Sequence, residues 1–210
     1  MMKRYVIVTG DVIGFTSIPA NKREKLMVST NALLISWVQK PGYAKIFRGD
    51  SFQMLFENMQ EALKRSIQLR CWFKKNSSEL RYILDAKMAI GIGAISYHGK
   101  TVLDSDGEAF HLSGRTFDAM EEDEHLSIVT TDKWKNEQLK VILNLADIII
   151  SNWTINQAEV IYLLLEGKTQ QQMADELKIA QSAVNNRIKL SKWKEIEKTI
   201  QYIATLIDQE

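Results

Sequence analysis

A chain of 210 residues can bury one good core, or one core with a small satellite domain. Its formal charge of +1, from 27 basic and 26 acidic residues, excludes a globally polycationic nucleic-acid binder but leaves room for a local basic face. One cysteine, Cys71, excludes an internal disulfide. The opening "MMKRYVIVTGD" lacks the basic-then-apolar pattern of a signal segment. No run reaches the ~18–20 apolar residues of a membrane span, so a soluble cytoplasmic protein is expected.

"RYVIVTG" is short, β-branched and bounded by Gly-Asp, which predicts a buried strand. Residues 19–39 carry Leu26, Leu33, Leu34 and Trp37 at helical spacing, with Pro19 near the first turn, and predict an amphipathic helix. "YAKIF" and "SFQMLF" flank "RGD" closely enough for a hairpin. Residues 57–76 return to the helical period through Ala62, Leu63, Ile67, Leu69 and Phe73. "AKMAIGIGAISY" predicts a strand interrupted by two glycines, "GEAFHLSGRTFDAMEE" a helix and "LSIVTT" a last strand. The order β-α-β-β-α-β, extended by a helix and a strand, is the split-βαβ, ferredoxin-like order of an α+β domain.

That order places the end of the first strand beside the hairpin turn, so Asp11 and Asp50 become neighbours. Two adjacent carboxylates repel unless a cation lies between them, and oxygen ligands at a sheet edge suit Mg²⁺ together with nucleotide phosphates. Gly10 and Gly14 would admit close approach of a phosphate. The amides of "VIGFT", Phe15 included, would lead into a helix N-terminus that favours anions. The competing reading is that each Gly-Asp simply marks a tight turn.

These motifs resemble class III nucleotidyl cyclases: "GDVIGFTSI" is similar to their first metal-binding element and "FRGDSFQMLF" to their Gly-Asp hairpin. "MAIGIGAI" and "DSDGEAFHLSGR" resemble their glycine-isoleucine strand and the helix after it, so the likeness covers residues 1–131. The resemblance implies Asp11 and Asp50 as Mg²⁺ or Mn²⁺ ligands with the Val12 carbonyl as a third, Arg115 steadying the transition state, and Asp104 near a base-selecting position. His111 stands where that family has a ribose-orienting asparagine. Ile46 stands where adenylyl enzymes have a base-reading lysine, and Lys45 is expected on the opposite face of the strand. Adenine selectivity is therefore unsupported. Over nearly the whole chain the sequence resembles the SatD family of small bacterial proteins, through "GD", "GDSFQ", "DGEAFHLSGR" and a C-terminal helix-turn-helix; Ser51 replaces an acidic residue of their pattern.

Residues 132–151 predict a connector helix, and residues 152–210 an all-α domain. Asn156 with Glu159, and Thr169 with Gln172, are spaced as capping boxes, and Gly167 as a helix stop. "QQQMADELKIAQSAVNNRI" places Met173, Ala174, Leu177, Ile179, Val184 and Ile188 where a helix-turn-helix needs burial, and resembles the sigma-factor region-four and response-regulator type. Lys178 stands where the turn usually has glycine, and Ala180 where a serine would cap the second helix. The outward residues Gln181, Ser182, Asn185, Asn186, Arg187 and Lys189, with Lys192 beyond, are types that read base edges and phosphates. Residues 178–194 contain five basic and no acidic residues. The apolar stripe Ile196, Ile200, Ile203 and Ile207 needs a partner, either the rest of the chain or a second copy in a homodimer.

His98 and His125 read as surface residues, and Cys71 lacks a neighbouring base. The sequence thus predicts a DNA-binding transcriptional regulator carrying a degenerate nucleotide- and metal-binding domain. The alternative is an active Mg²⁺- or Mn²⁺-dependent nucleotidyl cyclase or related nucleotidyl-transfer enzyme.

Overall fold

The computed structural model describes residues 3–208 and is a mixed α/β structure. Among the described residues are eight α-helices and one five-stranded mixed sheet of order β2-β3-β1-β4-β5. The strands are β1 (Tyr5–Ile13), β2 (Ala44–Phe47), β3 (Ser51–Phe56), β4 (Asp85–Gly93) and β5 (Leu126–Val129). Adjacent pairs are antiparallel except β4–β5.

Alternation along β1 divides its neighbours between two faces. Val6, Val8 and Val12 join the main core with Leu34 of α1 (Ala20–Trp37) and the apolar stripe of α2 (Met59–Lys75). Ile7 joins a smaller cluster with Leu55, Val102 and Ala109, the last on α3 (Glu108–Ala119), which lies across the other face. Gly91 lets α3 approach that closely, because a Cβ there would lie 2.4 Å from both the Ala109 carbonyl oxygen and the Ser113 nitrogen.

The strand around the two glycines ends at Gly93; the chain then bends away, and Tyr97 pairs with Asp106 in an isolated bridge. Asn58 caps α2 by accepting from the Glu61 amide, and Asp132 caps α4 (Lys133–Ser151). Four helices follow: α5 (Ile155–Leu165), α6 (Gln170–Leu177), α7 (Gln181–Leu190) and α8 (Trp193–Asp208). The capping box of α5 is Thr154 with Gln157, two residues before the Asn156–Glu159 pair, since Asn156 already lies inside the helix. Thr169 with Gln172 caps α6 as the spacing predicts, and Gly167 adopts φ 82° after α5.

The hydrophobic core is continuous from Val6 to Ile207. The stripe Ile196, Ile200, Ile203 and Ile207 is buried within the chain itself. No single described helix is long and apolar enough to cross a membrane, and the one helix pair that approaches that composition, α4 with α5, is bent by 117°.

A buried ionic cluster, absent from the sequence reading, ties β4, α2 and α4 together. Arg70 is fully buried and donates through Nε and Nη2 to both oxygens of Asp85, through Nη1 to Asp147 and through Nη2 to Ser151 Oγ. Lys74 Nζ lies 3.0 Å from Asp85 Oδ2. His125 is half-buried rather than on the surface, and its backbone amide donates to Asp147 Oδ2 at 2.7 Å. Cys71 is buried beside this cluster, and burial pushes its thiol well above the usual range, which removes a nucleophilic role.

Candidate functional site

The two Gly-Asp pairs lie at the same end of the sheet, the first inside β1 and the second in the turn between β2 and β3. The register of β1 with β3 stops at Gly10–Phe52, whereas that with β4 continues to Ile13–Asp85. Residues 11–13 therefore lie along an unpaired flank beside the hairpin tip that carries Asp50. The tip is a tight turn with Arg48 at φ 53° and Gly49 at φ 94°. Phe15 covers Gly49, at 3.6 Å from where a Cβ would sit, and the Arg23 guanidinium lies 4.8 Å from the centre of the Phe15 ring.

Asp11 is half-buried, and its carboxyl is held above the usual range by burial and by the like charge of Asp50, against the opposing pull of Lys87. Lys87 faces Asp11 across β1–β4 and donates to the carbonyls of Met120 and Glu121 at the end of α3, at 2.9 and 2.8 Å. The Asp11 carboxyl thus feels the like charge of Asp50 and the opposite charge of Lys87. No described group of three or more His, Cys, Asp or Glu residues is arranged to hold a metal ion. Two carboxylates and the backbone of Val12 would make only part of a divalent cation's shell, and water or phosphate oxygens would have to complete it.

Several of the expected roles change. Gly10 is buried; a Cβ there would lie 2.5 Å from the Lys87 carbonyl oxygen and 2.7 Å from Phe52 and Met88 side chains. Its missing side chain serves sheet packing, not approach of a phosphate. Gly14 adopts φ 81° and opens a short 3₁₀ turn, Phe15–Ser17, so α1 begins only after Pro19. Just beyond the "VIGFT" stretch, the amides of Ser17 and Ile18 donate to the Gly14 and Phe15 carbonyls.

On the α3 side of the sheet, Thr9 Oγ1 lies 3.0 Å from Ser113 Oγ and accepts from Gln53 Nε2 at 3.1 Å. Lys45 pairs with Gln53 and so shares this face with Thr9 and Asp11, whereas Ile46 packs against the main core. The three-residue turn between Phe47 and Ser51 sets this parity, and it reverses the expected orientation of the two residues.

The remaining residues carried over from the cyclase resemblance do not gather at the aspartates. Asp104 is exposed and accepts from Thr101 Oγ1 at 2.7 Å, and His111 Nε2 lies 3.2 Å from Asp106 Oδ1 in an exposed pair. Both lie toward the start of α3, beside the end of β4, about 20 Å along that strand from Lys87 at ~3.3 Å per residue. Arg115 is exposed and lines a cleft with Ser127 of β5 and Asn136, Glu137 and Lys140 of α4.

In the C-terminal helices, Met173, Ala174 and Val184 are buried, and Leu177, Ile179 and Ile188 pack against the core. Lys178 adopts φ 53° at the turn, and Ala180 provides no side-chain cap to α7. Gln181, Ser182, Asn186, Lys189 and Lys192 are exposed, and Asn185 is half-buried. Arg187 is withdrawn: its Nη1 lies 3.5 Å from Glu159 Oε2 on α5, an acidic neighbour that counting along residues 178–194 does not reveal.

Fold and site define a mixed α/β protein with two neighbouring acids at one end of its sheet and a pair of short C-terminal helices, of which the second, α7, carries the basic residues. The chain matches the SatD family model over residues 5–207 and belongs to that family. Comparison with curated proteins returns no match.

Proposed function

We propose that this SatD-family chain is a DNA-binding transcriptional regulator working in the cytoplasm. In this reading α6, its three-residue turn and α7 form a helix-turn-helix, and a cyclase-like domain of ferredoxin-like order binds a nucleotide with Mg²⁺ or Mn²⁺ without efficient turnover. The observation that carries it is the division of α7, which packs against α5 and α6: Val184 is buried, while Gln181, Ser182, Asn186 and Lys189 are exposed, with Lys178 and Lys192 flanking the helix. The order β2-β3-β1-β4, with α1 and α2 on one face, supports the ferredoxin-like reading of the first part. Binding of mixed-sequence duplex DNA tests the proposal by fluorescence anisotropy across a salt series. Lys189→Ala with Lys192→Asn should weaken binding tenfold or more and reduce the salt slope by about 1–2. Unchanged affinity and slope would sink the reading.

A second reading, nucleotidyl transfer, is favoured by the coupling of Asp11 to Asp50. Asp11, Asp50 and the Val12 carbonyl would hold the metal, which when bound supplies charge neutralisation at the phosphates. Lys45 and Gln53, on the face shared with Asp11, would orient the nucleotide. Incubation with Mn²⁺ and each NTP distinguishes the readings: pyrophosphate release lost in Asp11→Asn supports the enzyme, and no release leaves the binding domain.

A further inference from the structure

We propose that the outer face of α4 is the surface through which two copies of this chain pair, antiparallel, about a twofold axis near Val141. Trp134, Val141, Leu145 and Ile148 are 74, 62, 62 and 61 % exposed, four of the eleven large exposed hydrophobics among the described residues concentrated on one helix. With Gln138 they recur at alternating spacings of four and three, the spacing of a coiled-coil seam. At 3.6 residues per turn these five positions fall within about 80° of arc. No charged residue lies in that arc; the exposed Lys133, Glu137 and Lys140 stand to one side of it. Tyr202 of α8, 53 % exposed, extends the patch beside Trp134 across a shallow depression of about 490 Å³.

A second copy is the occupant that fits. The four α4 side chains and Tyr202 expose on the order of 600 Å² per copy, at the upper end of the patch a monomer leaves to water and near the lower bound of what a specific pair buries. An identical stripe reversed about Val141 is self-complementary: Trp134 meets the partner's Ile148, and Gln138 meets the partner's Leu145. Glu137, the charge nearest the seam, comes beside the partner's Asn144, so no like charges face each other. Parallel pairing would instead stack Trp134 on itself beside Tyr202 and align the two helix dipoles unfavourably. The apolar stripe of α8 cannot serve, since its own chain buries it.

Sedimentation velocity of the full chain at micromolar concentration is expected to show a dimer. Val141→Glu, at an exposed position, should give a monomer with unchanged circular dichroism and a melting temperature that no longer depends on protein concentration. Because Cys71 is buried, mixing Trp134→Cys and Ile148→Cys chains under mild oxidation should yield the mixed disulfide in preference to either homodimer. A wild-type monomer, or a dimer untouched by Val141→Glu, overturns the proposal. So does preferential Trp134→Cys self-linkage, and so does flotation of the wild type but not Val141→Glu with phosphatidylglycerol vesicles, which would assign the stripe to a membrane surface.

Discussion

Arg70 donates to both carboxylate oxygens of Asp85, through Nε at 2.8 Å and Nη2 at 2.9 Å, at a site where its side chain has no exposure. The same guanidinium reaches Asp147 on α4 at 2.5 Å, so one side chain joins the start of β4 to the helix that leads into residues 152–208. Arg70→Ala would leave Asp85 with only Lys74 as a cationic partner and Asp147 with no Arg or Lys partner among the described residues. A loss of about 3–5 kcal/mol follows, or roughly 6–20 °C in melting temperature for a chain of this size. A calorimetric midpoint within about 2 °C of wild type would show that the cluster contributes little.

The cluster also sets the acid limit. Burial works to raise both carboxyls, but Arg70 and Lys74 outweigh it at Asp85, and the hydrogen bonds that Asp147 accepts from His125, together with Arg70, outweigh it at Asp147, so both are held below the ordinary value of 3.8. Groups lowered on folding contribute stability that is full above the unfolded value and is lost as pH falls through the folded one. Stability should therefore decline below about pH 4, and Asp147→Asn should flatten that decline. A decline of equal steepness in the variant, followed by far-UV circular dichroism, would refute the assignment.

Asp11 moves the other way, because burial and Asp50 raise it. A raised carboxyl costs stability once ionised, so Asp11→Asn should raise the melting temperature at pH 7 in a chelator-treated sample and leave it unchanged below the ordinary carboxylate range. Mn²⁺ at a hundredfold excess over its dissociation constant would stabilise the wild type by about 2.7 kcal/mol. Absence of any Mn²⁺ response, or an equal response in Asp11→Asn, removes the metal from this pair.

Lys178 bears left-handed strain at φ 53° as the residue ending α6. Lys178→Gly relieves it and is expected to stabilise by about 0.5–1 kcal/mol, or 1–4 °C in melting temperature, the gain being limited by the freedom glycine adds to the unfolded chain. A lower melting temperature would mean that the turn relies on a contact of the lysine side chain.

Local chemistry was legible from residues alone. The β-branched run of β1, the Thr169–Gln172 cap, Gly167 after α5, and the burial of Met173, Ala174 and Val184 follow from periodicity and capping that act within a few residues. The adjacency of Asp11 and Asp50 followed from strand order, which connection lengths restrict to few choices. Tertiary structure decided what depends on residues far apart in the chain. Gly10 proved a packing position because Lys87 and Phe52 crowd it from two other strands. Lys45 rather than Ile46 came to share the face of Asp11 because one residue in a turn inverts strand parity. Nothing in the helical period of residues 57–76 marks Arg70 for burial, and only the arrival of Asp85 and Asp147 made its charge tolerable inside a core. The apolar stripe of α8 was answered by its own chain while that of α4 was left open, and no pattern along a single helix distinguishes the two.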